Sequence, residues 1–280
     1  MILVTGGAGF IGSHLVKKLQ KGGNHVRVLD NLCSGKKENV SGVDFVVGDV
    51  KSEIDVSKVV KGCEYVFHLA ALTDARDMGD DVFKVNFLGS KNVFAAAERH
   101  GAKVIFASSA AVYGEGTATE DSPLKPLNDY GKSKAKAEKL LKSGFIARLF
   151  NVYGPAGKSV INRFVKGICA GNGNITIYGS GLQTRDYVYV DDVVDALMLG
   201  MNSEGIYNVG TGSETSLLNL VTMIERSCGA GTSIKFEDAK NEIQRSKAII
   251  TKIKAIGWSP KVALEEGIRR ISSASSGRSA

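Results

Sequence analysis

The sequence of 280 residues is short of several residue types that mark whole classes of protein. Its 4 prolines leave no room for a proline-rich linker or a collagen-like array. The 4 cysteines, Cys33, Cys63, Cys169 and Cys228, stand far apart, with no C-x-x-C pair and no histidine at metal-ligand spacing. That excludes a zinc module or a disulfide-stapled scaffold, and predicts four reduced, partly buried thiols and no bound metal. No apolar run approaches the roughly 18 residues of a membrane span. Residues 2–5 already read as a strand entering a glycine turn, which leaves no space for a signal peptide. A soluble, cytoplasmic protein without a membrane partner is the expectation.

Charge of one sign is also not concentrated. Lys plus Arg number 36 against 29 Asp plus Glu, a formal net charge of +7, but no basic block and no zinc-finger or aromatic RNA-binding signature appears. Nucleic acid is therefore not an expected partner, whereas an anionic small molecule such as a nucleotide suits the balance. Apolar residues make up 43% and charged residues 23%, a globular composition long enough for one to two domains.

Glycine, at 33 residues, is what the chain has in excess. Over residues 1–150, nearly continuous apolar runs at 2–4, 25–29, 43–47, 65–69, 104–107 and 145–149 alternate with amphipathic stretches at 10–21, 56–61, 82–99 and 129–142. Strands buried on both faces and joined by crossover helices have this pattern, so the fold predicted is α/β, a doubly wound parallel sheet. Beyond Pro155 the elements shorten, which predicts a smaller mixed α/β C-terminal lobe. The expected division is a nucleotide-binding domain at 1–155, a mainly substrate-binding lobe at 156–271 with some segments returning to the first domain, and a frayed tail at 272–280.

Gly6, Gly7, Gly9 and Gly12 follow the first strand and open the first helix. Glycines there permit the turn and let backbone N–H groups at a helix N-terminus approach a pyrophosphate. Asp30 ends the second strand, where a carboxylate accepts from a ribose diol and repels a 2′-phosphate, which favours NAD over NADP. Asp49, after the third strand, either faces the adenine or is an ordinary turn aspartate. Leu69, Ala70 and Ala71 are small enough at the fourth strand's end to pass close beside a cofactor. Phe10, Ile11, Asn31 and Val50 complete the expected cofactor surface.

Tyr130 and Lys134 lie about 40° apart on one face of a helix, with Ala137 and Leu141, while Lys132, Lys136 and Lys139 fall on the opposite, solvated side. A lysine ammonium beside a phenol and an oxidised nicotinamide stabilises the phenolate, lowers the phenol's pKa and makes Tyr130 a candidate acid/base. A core-edge tyrosine with a snorkelling lysine has the same spacing. Ser108 and Ser109 end the strand at 104–107, at the sheet edge where ligands bind, although serines also cap turns there.

Taken together, Gly6 to Gly12, Asp30, Ser109 to Gly114, Tyr130 to Lys134 and Arg148 to Pro155 resemble the extended short-chain dehydrogenase/reductase family, and within it the NAD-dependent nucleotide-sugar epimerases. The resemblance runs from residue 1 to about 270. It implies a Rossmann-like domain, NAD as cofactor, and catalytic roles for Ser109, Tyr130 and Lys134. It also implies a cofactor-side Asn86, Phe150 packed near the nicotinamide, Asn151 and Tyr178 on the sugar nucleotide, and Arg185 on its diphosphate. The reaction implied is 4-epimerisation of UDP-galactose and UDP-glucose through transient oxidation at C4, with no net NADH. Ala110 and Ala111 stand where sugar 4,6-dehydratases carry an Asp-Glu pair, which disfavours elimination. Two departures stand out: the 139–147 segment is short, and Ile249 replaces an expected aspartate, with Arg245 and Lys240 placed to compensate. A sugar-nucleotide dehydrogenase or 4-ketoreductase, or a non-catalytic NAD-binding interaction protein, are the other readings. Helices at 82–99 and 129–142 resemble those forming a homodimer interface in the family, and an apolar helix face is equally consistent with core packing.

Overall fold

The computed structural model describes residues 1–73, 79–169, 173–238 and 243–275. Two compact units emerge from it. The first comprises Met1–Tyr113, Pro123–Arg148 and Val194–Tyr207; the second comprises Gly114–Ser122, Leu149–Val193 and Asn208–Ala280.

The first unit is organised on a seven-stranded sheet in the order Gly205–Val209, Phe145–Leu149, Lys103–Ser109, Tyr65–His68, Ile2–Thr5, Val26–Asp30, Asp44–Val47. The ladders from Lys103–Ser109 through Asp44–Val47 run parallel. This is the expected doubly wound arrangement, and the strand order reverses between Ile2–Thr5 and Tyr65–His68, so their carboxyl ends flank the ligand crevice of such sheets. Leu3, Val4, Val66, Phe67, Ile105 and Phe106 are buried, as strands covered on both faces require.

Three elements differ from the sequence-based expectation. The edge strand Gly205–Val209 comes from the far half of the chain and was not foreseen, because its five residues carry too little pattern to separate from a loop. The stretch expected as one helix at 82–99 is Gly79–Phe83, a π-helical turn Lys84–Gly89, and an α-helix Ser90–His100. The helix expected over 129–142 stops at Glu138, where the last amides shift to the tighter bonds Leu140 N to Ala137 O and Leu141 N to Glu138 O. At its start the Asn128 carboxamide oxygen accepts from Gly131 N at 2.8 Å, a side-chain cap that fixes where Asp129 and Tyr130 enter the helix.

The second unit is the mixed α/β lobe. It holds a four-stranded sheet in the order Thr215–Ser216, Thr184–Arg185, Arg245–Ala248, Gly116–Ala118, two short two-stranded ribbons, and helices Val160–Cys169, Leu217–Cys228 and Leu264–Ser275 packed on one another. Here the expectation of four free thiols is corrected: Cys169 and Cys228 form a disulfide. Each closes its helix, and the two helix ends converge to a Cα–Cα separation of 5.3 Å, a proximity hidden by a sequence separation of 59. Cys33 stays free and exposed, and Cys63 free and buried. Among the described residues no helix is long and apolar enough to cross a membrane. The tail beyond 275 and Lys240 lie outside the described residues.

Candidate functional site

The glycine turn sits at the crevice end of the first strand. Gly6 has φ +70°, and a Cβ there would lie 2.7 Å from the Ala70 backbone nitrogen. A Cβ on Gly12 would press on Gly6 O and lie 2.7 Å from Gly7 Cα. Both positions therefore need glycine, one for conformation and closeness and the other for closeness alone. Phe10, Ile11 and Gly12 form the first turn of the helix Phe10–Lys21, whose amides have no acceptor within the helix and carry its positive dipole end.

Asp30 is 8% exposed, and its carboxylate is fixed on both oxygens: Oδ2 accepts from Ala8 N at 3.0 Å and Oδ1 from Leu32 N at 2.8 Å. Each oxygen keeps a further lone pair for a ribose hydroxyl. Asn31 Nδ2 donates to Asp49 Oδ2 at 3.1 Å, and Asp49 Oδ1 accepts from Lys51 N at 2.9 Å. Val50 is buried among the residues of the apolar core. Leu69, Ala70 and Ala71 are half-buried, and Leu69 N donates to Thr5 O at 3.1 Å. A cradle that a Cβ would fill, helix amides above it and an oriented carboxylate at the second strand together fit NAD.

At the end of Lys103–Ser109, the Ser109 hydroxyl accepts from Ala111 N at 3.1 Å and stands near enough to the Tyr130 phenol to act on it. Burial pushes the Tyr130 phenol above the usual tyrosine value, and the nearby Ser109 hydroxyl pulls it back. Lys134 is 2% exposed. Its Nζ donates to Ala107 O at 2.8 Å and lies 4.7 Å from the Phe106 ring centroid. Burial lowers its pKa to about 7, opposed by the Glu138 carboxylate. Burial disfavours the charged form of both groups, and the ammonium is tied back to the strand at Ala107 O. Ser108 is buried and takes a different part from its neighbour, donating to Glu138 Oε1 at 2.5 Å.

Glu138 is a functional candidate that the sequence reading passed over, although it stands on the inward face one turn beyond Lys134. It pairs with buried Arg148 through Nη2 to Oε2 at 2.7 Å and Nε to Oε1 at 3.1 Å, and Arg148 Nη1 donates to Tyr113 OH at 2.8 Å. Ser108 and Tyr113 are thereby held by one carboxylate and its guanidinium, and the carboxylate's charge also acts on Lys134. Asn86, expected at the cofactor, is fully buried. Its carboxamide accepts from Leu72 N at 2.8 Å and donates to Leu72 O at 2.9 Å and Ser133 Oγ at 3.1 Å, so it ties the loop after the fourth strand to the Tyr130 helix.

Phe150, expected near the nicotinamide, and the expected substrate-side residues other than Ser109 and Tyr130 belong to the second unit. Phe150 is buried, with its N donating to Val209 O at 2.9 Å. Asn151 Nδ2 donates to Asp186 O at 3.1 Å. Arg185 Nη1 donates to Thr184 O at 2.9 Å. Tyr178 is 48% exposed at the end of Asn174–Tyr178. Arg245 is exposed and engaged by Glu214, with Nη2 to Oε1 at 2.6 Å and Nε to Oε2 at 2.8 Å. The Ile249 amide donates to Ala118 O at 2.9 Å. Asp186, also passed over in the sequence, is buried and accepts from Thr211 N, Thr211 Oγ1, Gly212 N and Ala248 N, which makes it the polar anchor of this unit.

Residues 2–210 match the model of the NAD dependent epimerase/dehydratase family. The chain is 38% identical to a putative UDP-glucose 4-epimerase of Methanocaldococcus jannaschii over 97% of both sequences. It is 33% identical to UDP-glucuronic acid decarboxylase 1 of Xenopus tropicalis, over 96% of this chain and 70% of that one. Among solved structures, UDP-glucose 4-epimerase of Thermus thermophilus in complex with NAD superposes with a TM-score of 0.91 at 35% identity, over 99% of both chains.

Proposed function

The chain belongs to the NAD-dependent epimerase/dehydratase family, and from that premise we propose that it is the 4-epimerase that interconverts UDP-galactose and UDP-glucose. The observation that carries the reading is that Ser109, at the end of its strand, meets the Tyr130 phenol, with Lys134 buried one helical turn beyond Tyr130, in a site where Ala110 and Ala111 add no second acid or base. NAD, when bound, supplies a hydride acceptor and donor.

Tyr130 takes the proton of the sugar 4-hydroxyl and later returns it, with Ser109 holding the sugar oxygen within reach of the phenol. Lys134 supplies positive charge behind the pair. Asp30 accepts from the adenosine ribose, and the glycine turn at Gly6, Gly9 and Gly12 holds the diphosphate against helix amides. Asn151, Tyr178, Arg185 and Arg245 are proposed for the nucleotide sugar, with Arg245 exchanging Glu214 for phosphate oxygens. A homodimer through the helices at 82–99 and 129–142, and a cytoplasmic location, belong to the same proposal.

The test is to incubate the purified protein with UDP-galactose and follow the nucleotide sugars by chromatography, beside Tyr130→Phe. Conversion to UDP-glucose without net NADH is expected, with kcat of the variant lower by about 10²–10⁴-fold. Equal turnover by both proteins ends the acid/base role. Carbon dioxide release from UDP-glucuronate, or accumulating NADH, replaces epimerisation by decarboxylation or net oxidation.

A further inference from the structure

His68 stands in an otherwise apolar strand and has no part in the chemistry above. It is fully buried, and so are Thr5, Asn86, Ser90 and Ser133. Its two ring nitrogens are both engaged: Nδ1 with Thr5 Oγ1 at 2.7 Å and Nε2 with Ser90 Oγ at 2.9 Å. Thr5 and His68 are paired neighbours on the two strands where the sheet order reverses, directly beneath the crevice.

Counting protons fixes the direction of every bond. Ser90 has one hydroxyl proton and gives it to Asn86 O at 2.5 Å, so Ser90 Oγ accepts from His68 Nε2–H. The ring has no exposure, has no carboxylate partner among the described residues, and faces Phe106 in a stack with centroids 5.5 Å apart. The imidazole is therefore neutral, and Nδ1 accepts the Thr5 hydroxyl proton. Burial, with Lys134 adding like charge, holds its pKa down at about 3. Thr5 Oγ1 in turn accepts from Ala70 N at 3.4 Å. On the other side, the Asn86 carboxamide donates to Ser133 Oγ, whose own proton goes to the main-chain carbonyl of Tyr130 at 2.7 Å.

We propose that His68 is a positioning residue: as the Nε2–H tautomer it couples the Thr5–Ala70 wall of the crevice to the Ser90–Asn86–Ser133 chain that ends on the backbone of Tyr130. Two one-directional runs of bonds, from Ala70 N to the Asn86 main-chain carbonyl and from the Asn86 carboxamide to the Tyr130 carbonyl, joined through the covalent frame of Asn86, then tie the strand end that the dinucleotide must pass to the residue that moves the proton. Directional polar networks of this kind rigidify when every member is satisfied and fail locally when one is not. The proposal rests on the assignment of Tyr130 as acid/base, and its readings of NAD binding and tautomer are independent of which sugar is turned over.

Two near-isosteric variants divide the imidazole. His68→Asn places an acceptor near the Nδ1 position and abandons Ser90; His68→Gln places a donor near Nε2 and abandons Thr5. His68→Asn is expected to keep NAD affinity within about twofold and the sugar KM unchanged while kcat falls about tenfold, the loss of one buried hydrogen bond. His68→Gln is expected to weaken NAD about tenfold, read by calorimetry, with kcat at saturating NAD within about threefold. Parallel losses of NAD affinity and kcat in both variants, or no change in either, overturn the coupling and leave packing alone. Should a variant fail to fold, nitrogen NMR of the wild-type histidines decides: the Nε2–H signature for His68 supports the proposal, and an Nδ1–H or cationic ring overturns it. If wild type turns over neither UDP-galactose nor UDP-glucose, the epimerase reading falls, while NAD affinity and tautomer still decide the role of His68.

Discussion

Glu138→Gln is a near-isosteric change with a large expected cost. Glu138 and Arg148 have side-chain exposures of 4% each, and the carboxylate accepts from Arg148 Nη2 and Nε and from Ser108 Oγ. Gln keeps one acceptor oxygen and turns an amide NH₂ against the guanidinium, leaving Arg148 as a buried cation without its counter-charge, although Tyr113 OH still accepts from Nη1. Breaking a buried pair in this way costs about 3–5 kcal/mol. Urea unfolding followed by circular dichroism measures it. The double variant Glu138→Gln/Arg148→Met, with the charge removed as well, is expected to recover most of the loss. A catalytic effect accompanies the structural one. Glu138 is what holds the Lys134 pKa up against burial, at about 7. Without it the lysine loses its proton at lower pH, and because the proposed mechanism uses the cationic form, the alkaline limb of the kcat profile should move downward in pH. A single-variant loss below about 1 kcal/mol, a double variant no more stable than the single, or an unmoved alkaline limb would refute the reasoning.

Gly6→Ala forces a side chain into φ +70° and against Ala70 N at 2.7 Å, so NAD affinity measured by calorimetry should fall at least about tenfold with a lowered Tm. An affinity equal to wild type would remove the turn from the binding site. For the disulfide, thiol titration of the unfolded, unreduced protein should count two free groups, Cys33 and Cys63. Cys169→Ser should lower the unfolding free energy of the second unit by about 2–4 kcal/mol.

The sequence made the architecture and the Ser109–Tyr130–Lys134 constellation legible because both are written in local spacing: glycines at a strand-to-helix turn, and two residues one helical turn apart. What escaped it depended on partners far along the chain. Glu138 could have been found, since a carboxylate on the same inward face as Lys134 needs a buried counter-charge. Its partner Arg148 was quoted only as the start of a motif. His68 gave a weaker signal, a single polar residue in an apolar strand, whose bonds to Thr5 and Ser90 exist only once strands are paired. The Cys169–Cys228 link had no local signature at all, and spacing reveals that a lysine is near Tyr130 without revealing that Ala107 O holds it.

The strand Gly205–Val209 lies beside Phe145–Leu149, all five of whose residues are buried. During synthesis the ribosome delivers the whole glycine turn and the Ser–Tyr–Lys set long before that late strand emerges. In the interval the Phe145–Leu149 backbone is a raw, apolar margin able to zip onto any other extended chain. Vectorial emergence therefore makes the last-arriving strand a closure, and the hazardous period of this protein's life ends only when residue 209 leaves the exit tunnel.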